Sequence, residues 1–503
     1  MKVHLLFPDR DFSTEGSLCF GHETLSADLE LQRIINTMSR GDGDIAEVCA
    51  AVLFSPLTDL DVIAYRREAM EDALRSPQTV RRLYEIIGKA YEEKRKTWYW
   101  ISGSRALSST FTNSIQLLKM YLAVLRDLRS AADDDAAAFA SEAFRTLFAM
   151  LREELGDDYF ERVQSQLDEL QDKNGTLVSV QLGRHNQGVN YVLRRKNKRG
   201  FLMRWTLAPS YTLAPKDEMG AVDLEDRRNR AINEVTNALA QSAEHLESFL
   251  SVLQRELAFY IGGINLNEKL KESGMPVCMP VIGPAGSSRR SWSGLYDVSL
   301  ALAKGTSVTS NDMEACEKKL FIITGANQGG KTTFLRSMGQ AQLMAQCGLF
   351  VGAAGAEILL RTGVFTHFKK EEDAGMKSGK LDEELTRMER IADHLESGSM
   401  MLFNESFAAT NEREGSEICR QITAALNDNG VEIFSVTHLY TYAAARKDLP
   451  GTQYLRAQRL DNGERTFRIV PGEPQETAYG RDLYIKVFGT EGTAEKSSDA
   501  ATR

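Results

Sequence analysis

Cysteine is scarce in this sequence: the chain of 503 residues has six, and no two of them form a C-x-x-C pair. Without paired cysteines the sequence offers neither a disulfide framework nor a zinc module. We therefore expect reduced and mostly buried thiols at all of these positions. They are Cys19, Cys49, Cys278, Cys316, Cys347 and Cys419.

Long apolar runs are also absent. No uncharged apolar stretch approaches the roughly 18 residues that span a bilayer, and the amino terminus reaches Pro8, Asp9 and Arg10 after a few apolar residues. This pattern predicts a soluble, cytoplasmic protein without a signal peptide and without a membrane partner. The net charge of −9 argues against a chain coated in nucleic acid, but it leaves room for a local basic patch.

The remaining composition is that of a globular protein, with 42% hydrophobic, 26% charged and 8% aromatic residues. Such a composition excludes wholesale disorder. A length of 503 residues favours roughly three domains, because single domains usually hold 100–200 residues.

Two stretches have helical spacing of their apolar residues. The first runs from about residue 25 to 170 and includes steps of three and four between Ile115, Leu118, Leu122, Leu125 and Leu128. The second covers 232–257 and is long enough, at 1.5 Å per residue, for an arm of roughly 40 Å. Both predict packed amphipathic helices.

Between these stretches, residues 173–216 have a different character. Segments 177–180 and 189–193 are typical of short strands, and the whole span carries nine Lys or Arg residues without any Asp or Glu. It predicts a small basic β insert. We call five of its residues the basic cluster: Arg194, Arg195, Lys196, Lys198 and Arg199.

After Lys271 the chain becomes rich in Pro and Gly and loses its helical period, which indicates a domain boundary. From Lys319 onward, apolar strand-like runs at 320–323, 400–403 and 431–436 alternate with helical stretches. This alternation predicts a parallel α/β sheet.

A phosphate-binding loop follows the first of these runs. The pattern G-x-x-x-x-G-K-[ST] lies between a strand and a helical start, so its glycines let backbone N–H groups surround phosphate oxygens at a helix amino terminus. Lys331 is expected to reach the β- and γ-phosphates, and the Thr332 hydroxyl to ligate Mg²⁺. The predicted nucleotide-binding residues are Gly325, Ala326, Asn327, Gln328, Gly329, Gly330, Lys331, Thr332 and Thr333.

An apolar strand at 400–403 ends in Asn404 and Glu405. A P-loop enzyme needs an acidic pair at such a position, to hold Mg²⁺ and to orient the attacking water. Glu405 can orient or deprotonate water, whereas Asn404 supplies an oxygen without charge. By itself, a polar pair after a strand is also ordinary in a protein without this function.

Several segments resemble, in order, the ATPase domain of MutS-type mismatch-repair proteins. They are the P-loop, 346–353, 404–415, 436–438 and 470–480, within a match from about 276 to 488. The resemblance implies an ATP- and Mg²⁺-dependent ATPase with Thr332 and Asn404 at the metal, Glu405 as catalytic carboxylate and metal ligand, and His438 as sensor of the γ-phosphate. Taken alone, His438 is more typical of a structural histidine than of a γ-phosphate sensor.

The same resemblance places a serine from a dimer partner at the γ-phosphate, and Ser378 occupies the corresponding region. Its distance along the chain from Glu405 is about one residue longer than in the family, and Lys380 stands near a usual Thr or Phe. A solvated helix start near Ser378 is the alternative. Tyr296 is a candidate for stacking on adenine, or else a core residue.

Upstream, segments 55–69 and 177–192 resemble the helical core and the DNA clamp of the family. The basic cluster then falls where DNA would pass, which predicts DNA contacts without base reading. The alternatives are a solvated hairpin tip, or pairing with acidic residues of this chain. The start of the chain offers no Phe-x-Glu wedge, so mismatch recognition is not expected.

The expected fold is a multidomain one: an α-helical core and lever region with a small β insert, followed by an α/β P-loop domain of ABC type. The expected domains are 1–50, an amino-terminal region; 51–170 with 221–272, the helical core and lever; 171–220, the insert; 273–488, the MutS-type ATPase domain; and 489–503, a disordered tail.

Three functions remain open from the sequence. The first is a homodimeric ATPase that moves helical levers and a clamp on DNA in repair or recombination. The second is an ATP-dependent dimerisation and clamp module with weak or absent hydrolysis, because Asn404 stands where an Asp is expected. The third is a P-loop machine that acts on protein partners.

Overall fold

The computed structural model describes residues 1–16, 18–101, 107–171, 176–195, 212–284, 289–370, 379–445, 451–460 and 463–474, with the backbone alone for 97–101. The predicted tail at 489–503 lies outside the described residues. The helices are α1 (His22–Asp28), α2 (Leu31–Ser39), α3 (Gly43–Leu53), α4 (Leu60–Arg75), α5 (Pro77–Ile101), α6 (Leu107–Asp135), α7 (Glu142–Glu154), α8 (Asp157–Leu170), α9 (Glu218–Glu272), α10 (Val298–Lys304), α11 (Lys331–Gln346), α12 (Lys380–Ala392), α13 (Glu412–Asp428) and α14 (Tyr440–Ala444). The strands are β1 (Val178–Leu182), β2 (Gly188–Leu193), β3 (Val281–Gly283), β4 (Arg289–Leu295), β5 (Asn311–Cys316), β6 (Leu320–Gly325), β7 (Gly355–Leu359), β8 (Val364–Phe368), β9 (Met400–Asn404), β10 (Glu432–Val436), β11 (Thr452–Arg459) and β12 (Arg465–Pro471).

The chain forms two compact units. The first comprises 1–4, 78–140 and 144–257, and the second comprises 5–77, 141–143 and 258–503. The helical region expected at 51–170 and 221–272 is therefore divided between them. The predicted order, a helical region followed by an α/β domain, is confirmed.

Where the structure describes it, the first unit is helical apart from one hairpin. The apolar face predicted for α6 is buried, including Ile115, Leu122 and Leu128, which is why this stretch forms a long amphipathic helix. Strands β1 and β2 pair in antiparallel fashion. Both strands lie within residues 171–220, and the assignment of that segment as a separate insert remains a prediction.

The second unit is built on a six-stranded sheet with the order β12-β11-β6-β10-β9-β8. Its strands pair in parallel, except that β12 runs antiparallel to β11. Strands β6, β9 and β10 are buried nearly throughout, because helices cover a parallel sheet on both faces. Strand β10 lies between β6 and β9. Because these three strands are parallel, their carboxyl ends lie at one edge of the sheet.

A four-stranded sheet, β3-β7-β4-β5, accompanies the larger one in the second unit. The last turns of α9 also belong to this unit and pack against α3 and α4 at very short range. A Cβ atom added to Gly262 would lie 2.5 Å from the Cys49 sulfur, and one added to Gly263 would lie 2.5 Å from the Met70 methyl carbon. Only glycine permits this approach.

The burial of the cysteines agrees with most of what the sequence predicts for them. Three of the six cysteines are buried, two are half-buried and Cys316 is exposed. Among the residues placed by the structure, no helix combines the length and the apolar character that a bilayer crossing requires.

Candidate nucleotide site

The P-loop joins β6 to α11 through residues 326–330. Gly330, which precedes the first turn of α11, has φ = 92°, and Gly325 has φ = 112°, conformations that favour glycine. A Cβ atom on Gly325 would lie 3.0 Å from the backbone nitrogen of Ala457 in β11. The glycines of the motif are therefore required by backbone shape and by the close approach of β11.

Lys331 begins α11 and is only 5% exposed. Its ammonium group donates to the carbonyl oxygens of Gly325 at 2.8 Å and Ala326 at 3.0 Å. An ammonium has three N–H donors, so with respect to the described residues one remains for a phosphate oxygen. Burial lowers the pKa of Lys331 to about 8, although the negative charge of Glu405 acts in the opposite direction.

Thr332 and Asn404 meet at the carboxyl edge of the sheet. The Thr332 hydroxyl donates a hydrogen bond of 2.9 Å to the side-chain oxygen of Asn404. These two residues are 72 positions apart in sequence, and the parallel pairing of β9, β10 and β6 brings them together. The two oxygens form a donor set of the kind that Mg²⁺ accepts.

Glu405 lies beside this pair and is hydrogen-bonded to His438. Nε2 of His438 lies 2.6 Å from Oε1 of Glu405, and because an ionised carboxylate only accepts, the histidine nitrogen donates. This hydrogen bond lowers the pKa of the Glu405 carboxyl, while burial acts in the opposite direction. Both side chains remain partly exposed, Glu405 at 31% and His438 at 29%, so water can reach them.

Two residues of β12 also contact the P-loop, and no sequence motif predicted either of them. Arg465 donates to the side-chain oxygen of Gln328 at 3.1 Å. The backbone oxygen of Phe467 would lie 3.2 Å from a Cβ atom on Gly330, and the Phe467 ring is half exposed. Only the antiparallel return of β12 brings these two residues to the loop.

Tyr296 does not belong to this site. Its side chain is 1% exposed, its ring lies against the backbone of Gly352, and its N–H donates to the Gly352 carbonyl at 3.0 Å. A ring that is buried to this extent cannot stack on a base. We therefore correct the prediction of adenine stacking and assign Tyr296 to the core, which was the alternative.

The basic cluster is placed only in part, because Lys196, Lys198 and Arg199 lie outside the described residues. Arg194 is exposed and donates to the Ser179 hydroxyl at 2.8 Å. Arg195, 80% exposed at its side chain, donates to the Glu169 carboxylate at 2.9 Å. An exposed ion pair such as Arg195–Glu169 contributes little to stability. Because the side chains of Arg194 and Arg195 are exposed, both guanidinium groups stay accessible.

Ser378 also lies outside the described residues, and its predicted role remains a prediction.

Comparison with family models gives two matches. Residues 58–273 match the MutS2 N-terminal domain, and residues 321–480 match MutS domain V. The second match contains the P-loop, Asn404, Glu405 and His438. The site described above therefore lies in domain V.

Curated proteins are also similar. Endonuclease MutS2 of Thermus thermophilus is 30% identical over 159 residues, which is 31% of this chain and 21% of the relative. Endonuclease MutS2 of a Geobacillus species is 25% identical over 236 residues, 46% of this chain and 29% of the relative. DNA mismatch repair protein MutS 2 of Haloarcula marismortui is 28% identical over 196 residues, which is 38% of this chain and 20% of the relative. The matched part of the chain thus spans less than a third of each relative. Taken with the two domain matches, these similarities show that the chain belongs to the MutS family.

Proposed function

We propose that this protein is an ATPase that converts ATP and water to ADP and phosphate, and that it couples this reaction to DNA binding in repair or recombination. The observation that carries the proposal is the convergence, at one sheet edge, of Lys331, the Thr332–Asn404 pair and the Glu405–His438 pair. These are the groups that phosphoryl transfer to water requires.

The oxygens of Thr332, Asn404 and Glu405 fit Mg²⁺, because they are hard donors that lie at the same end of neighbouring elements. When bound, the ion neutralises phosphate charge. Asn404 contributes an oxygen but no charge, so this donor set is weaker than one with an Asp at the same position. We expect a high Mg²⁺ requirement and slow turnover.

The residues of the chain divide the remaining work. The P-loop amides and the third N–H of Lys331 hold the phosphates. Because its pKa is lowered, Glu405 is ionised at neutral pH and is a weak base. It therefore orients the attacking water and accepts the proton only as the new bond forms. His438 binds the Glu405 carboxylate through one oxygen, and no described residue donates a hydrogen bond to the other.

DNA binding and dimerisation complete the proposal. Arg194 and Arg195 lie on an exposed basic hairpin, and arginines on such a surface bind phosphates without reading bases. We propose that two copies associate through the P-loop domain and that Ser378 completes the partner's site.

The relatives' names mention endonuclease and mismatch repair. Neither activity is transferred, since the matches cover less than a third of those proteins.

A second function is favoured by one observation. The side chain that accepts the Thr332 hydrogen bond is the neutral amide of Asn404. The negative charge expected from an Asp at the metal is therefore absent. This supports a module that dimerises on ATP and hydrolyses it slowly or not at all. No observation in the described residues favours a machine acting on protein partners over these two.

One experiment separates these functions. Phosphate release is measured without DNA and with duplex, branched or single-stranded DNA, next to DNA binding at several salt concentrations. The ATPase proposal predicts turnover that responds to DNA. ATP binding without phosphate release would favour the dimerisation module, and salt-insensitive or absent DNA binding would contradict the DNA partner.

A further inference from the structure

The backbone that carries Glu405 has an unusual conformation. Glu405 and Phe407 have φ angles of 54° and 59°, in the left-handed region that residues with a side chain seldom adopt. We call residues 405–407 the Glu405 loop. Because such a conformation persists only where the surroundings hold it, the contacts of this loop decide where the Glu405 carboxylate points.

Helix α12 holds the loop at Phe407. The backbone N–H of Phe407 donates a short hydrogen bond to the carboxylate of Glu384. Glu384 is only 8% exposed and Phe407 is 1% exposed, so no water replaces this acceptor at low cost. The carbonyl oxygen of Glu384 also lies 3.1 Å from the ring of His367.

Strand β8 holds the loop at Ser406. The Ser406 hydroxyl donates to the carbonyl oxygen of His367 at 2.6 Å and lies 2.7 Å from Nδ1 of its ring. The His367 ring is fully buried and stacks on Phe407 with ring centroids 5.0 Å apart. The loop is thus held by α12 and β8, in addition to the N–H of Glu405, which donates to the Val436 carbonyl oxygen at 2.9 Å.

We propose that Glu384 is a positioning residue for Glu405, an inference that rests on the proposed function. Its carboxylate holds the Phe407 N–H, and this hydrogen bond keeps the Glu405 loop in the left-handed conformation that directs Glu405 to His438. Without the acceptor the loop relaxes and Glu405 turns away. The phosphate-binding groups lie on the P-loop, so ATP affinity is unaffected while turnover falls.

Three variants test this inference. Glu384→Ala removes the acceptor, Glu384→Gln retains an acceptor oxygen, and Glu389→Ala changes an exposed glutamate of the same helix. A displaced catalytic group costs on the order of tenfold to a hundredfold in rate, so kcat falls by at least about tenfold in Glu384→Ala. Both other variants stay within about twofold of wild type, and the Kd for ATP is unchanged throughout.

A double-mutant cycle tests whether Glu384 acts through Glu405. In a Glu405→Gln background, Glu384→Ala should add no further decrease in rate, because the group it positions is already gone. Additive decreases would overturn the inference. Equal decreases in Glu384→Ala and Glu384→Gln would also overturn it, since the acceptor oxygen would then not matter.

Hydrogen–deuterium exchange separates a failure of this inference from a failure of the proposed function. Peptides covering Ser406 and Phe407 should exchange at least about tenfold faster in Glu384→Ala than in wild type, Glu384→Gln or Glu389→Ala. Unchanged exchange would overturn the inference, whatever the ATPase result. If exchange is faster in Glu384→Ala and the wild-type protein releases no phosphate, the contact between Glu384 and Phe407 is supported and the proposed ATPase activity is rejected. If Glu384→Ala does not fold, Glu384→Asp, which keeps the charge but is one methylene too short, takes its place.

Discussion

Raising the pH from 7 to 9 should weaken ATP binding about tenfold, because Lys331 loses its proton in this range. Its pKa is lowered from 10.5 to about 8 by burial. The protonated fraction then falls from about nine-tenths at pH 7 to about one-tenth at pH 9, as for any group that titrates near 8. If only the ammonium form holds the phosphates, the apparent Kd rises by the ratio of these fractions.

Isothermal titration calorimetry of ATP at several pH values measures this effect. Lys331→Arg is the matched control, because a guanidinium keeps its charge over the whole range, and its affinity, although lower, should not depend on pH. Unfolding does not explain the expected decrease in affinity: with a pKa of about 8 when folded and 10.5 when unfolded, Lys331 contributes stability that rises with pH between these values. A wild-type Kd that stays constant from pH 7 to 9, or an equal slope in the Arg variant, would refute the reasoning.

Three further predictions concern the site and the insert. Asn404→Asp should lower the Mg²⁺ concentration needed for half-maximal activity or raise the rate, because it adds a negative charge beside the metal; an unchanged Mg²⁺ curve would contradict this. Replacing the basic cluster with Ala should reduce the log–log salt slope of DNA binding by about 0.9 for each phosphate that these side chains no longer bind, and equal slopes would reject the DNA contacts. Mixing Ser378→Ala chains with Lys331→Ala chains should restore some phosphate release at one composite site per heterodimer, whereas proven heterodimers without rescue would argue against shared sites.

The P-loop and its helix were predictable because their chemistry is local. Gly330 and Lys331 follow one another at the start of a helix, and backbone shape alone explains why the loop needs glycine there. The apolar runs of β6, β9 and β10 were equally clear, since strands buried on both faces read as continuous hydrophobic segments. The contact between Thr332 and Asn404 then follows from parallel pairing.

Residues that depend on distant packing were not predictable. Arg465 reaches Gln328 across 137 residues of sequence, and nothing in its neighbourhood marks it. The burial of Tyr296 depends on Gly352 lying against its ring, which no local pattern encodes. The contacts that hold residues 405–407 likewise come from distant elements: Glu384 on α12 accepts from the Phe407 N–H, and the His367 carbonyl oxygen on β8 accepts from the Ser406 hydroxyl. For the same reason, the helical periodicity did not predict where the chain divides into two compact units. The last turns of α9 belong to the second unit, although they continue the same helix.

The most direct test of the proposed ATPase is single-turnover hydrolysis of ATP by wild type and by Glu405→Gln, with ATP binding measured for both. Gln keeps the size of Glu405 and its hydrogen bond to His438 in one orientation, but it cannot accept the proton of the attacking water. We predict phosphate release by wild type, and a Glu405→Gln protein that binds ATP with similar affinity and holds it unhydrolysed. Hydrolysis at the wild-type rate in Glu405→Gln would contradict the assignment of Glu405 and, with it, the mechanism at this site.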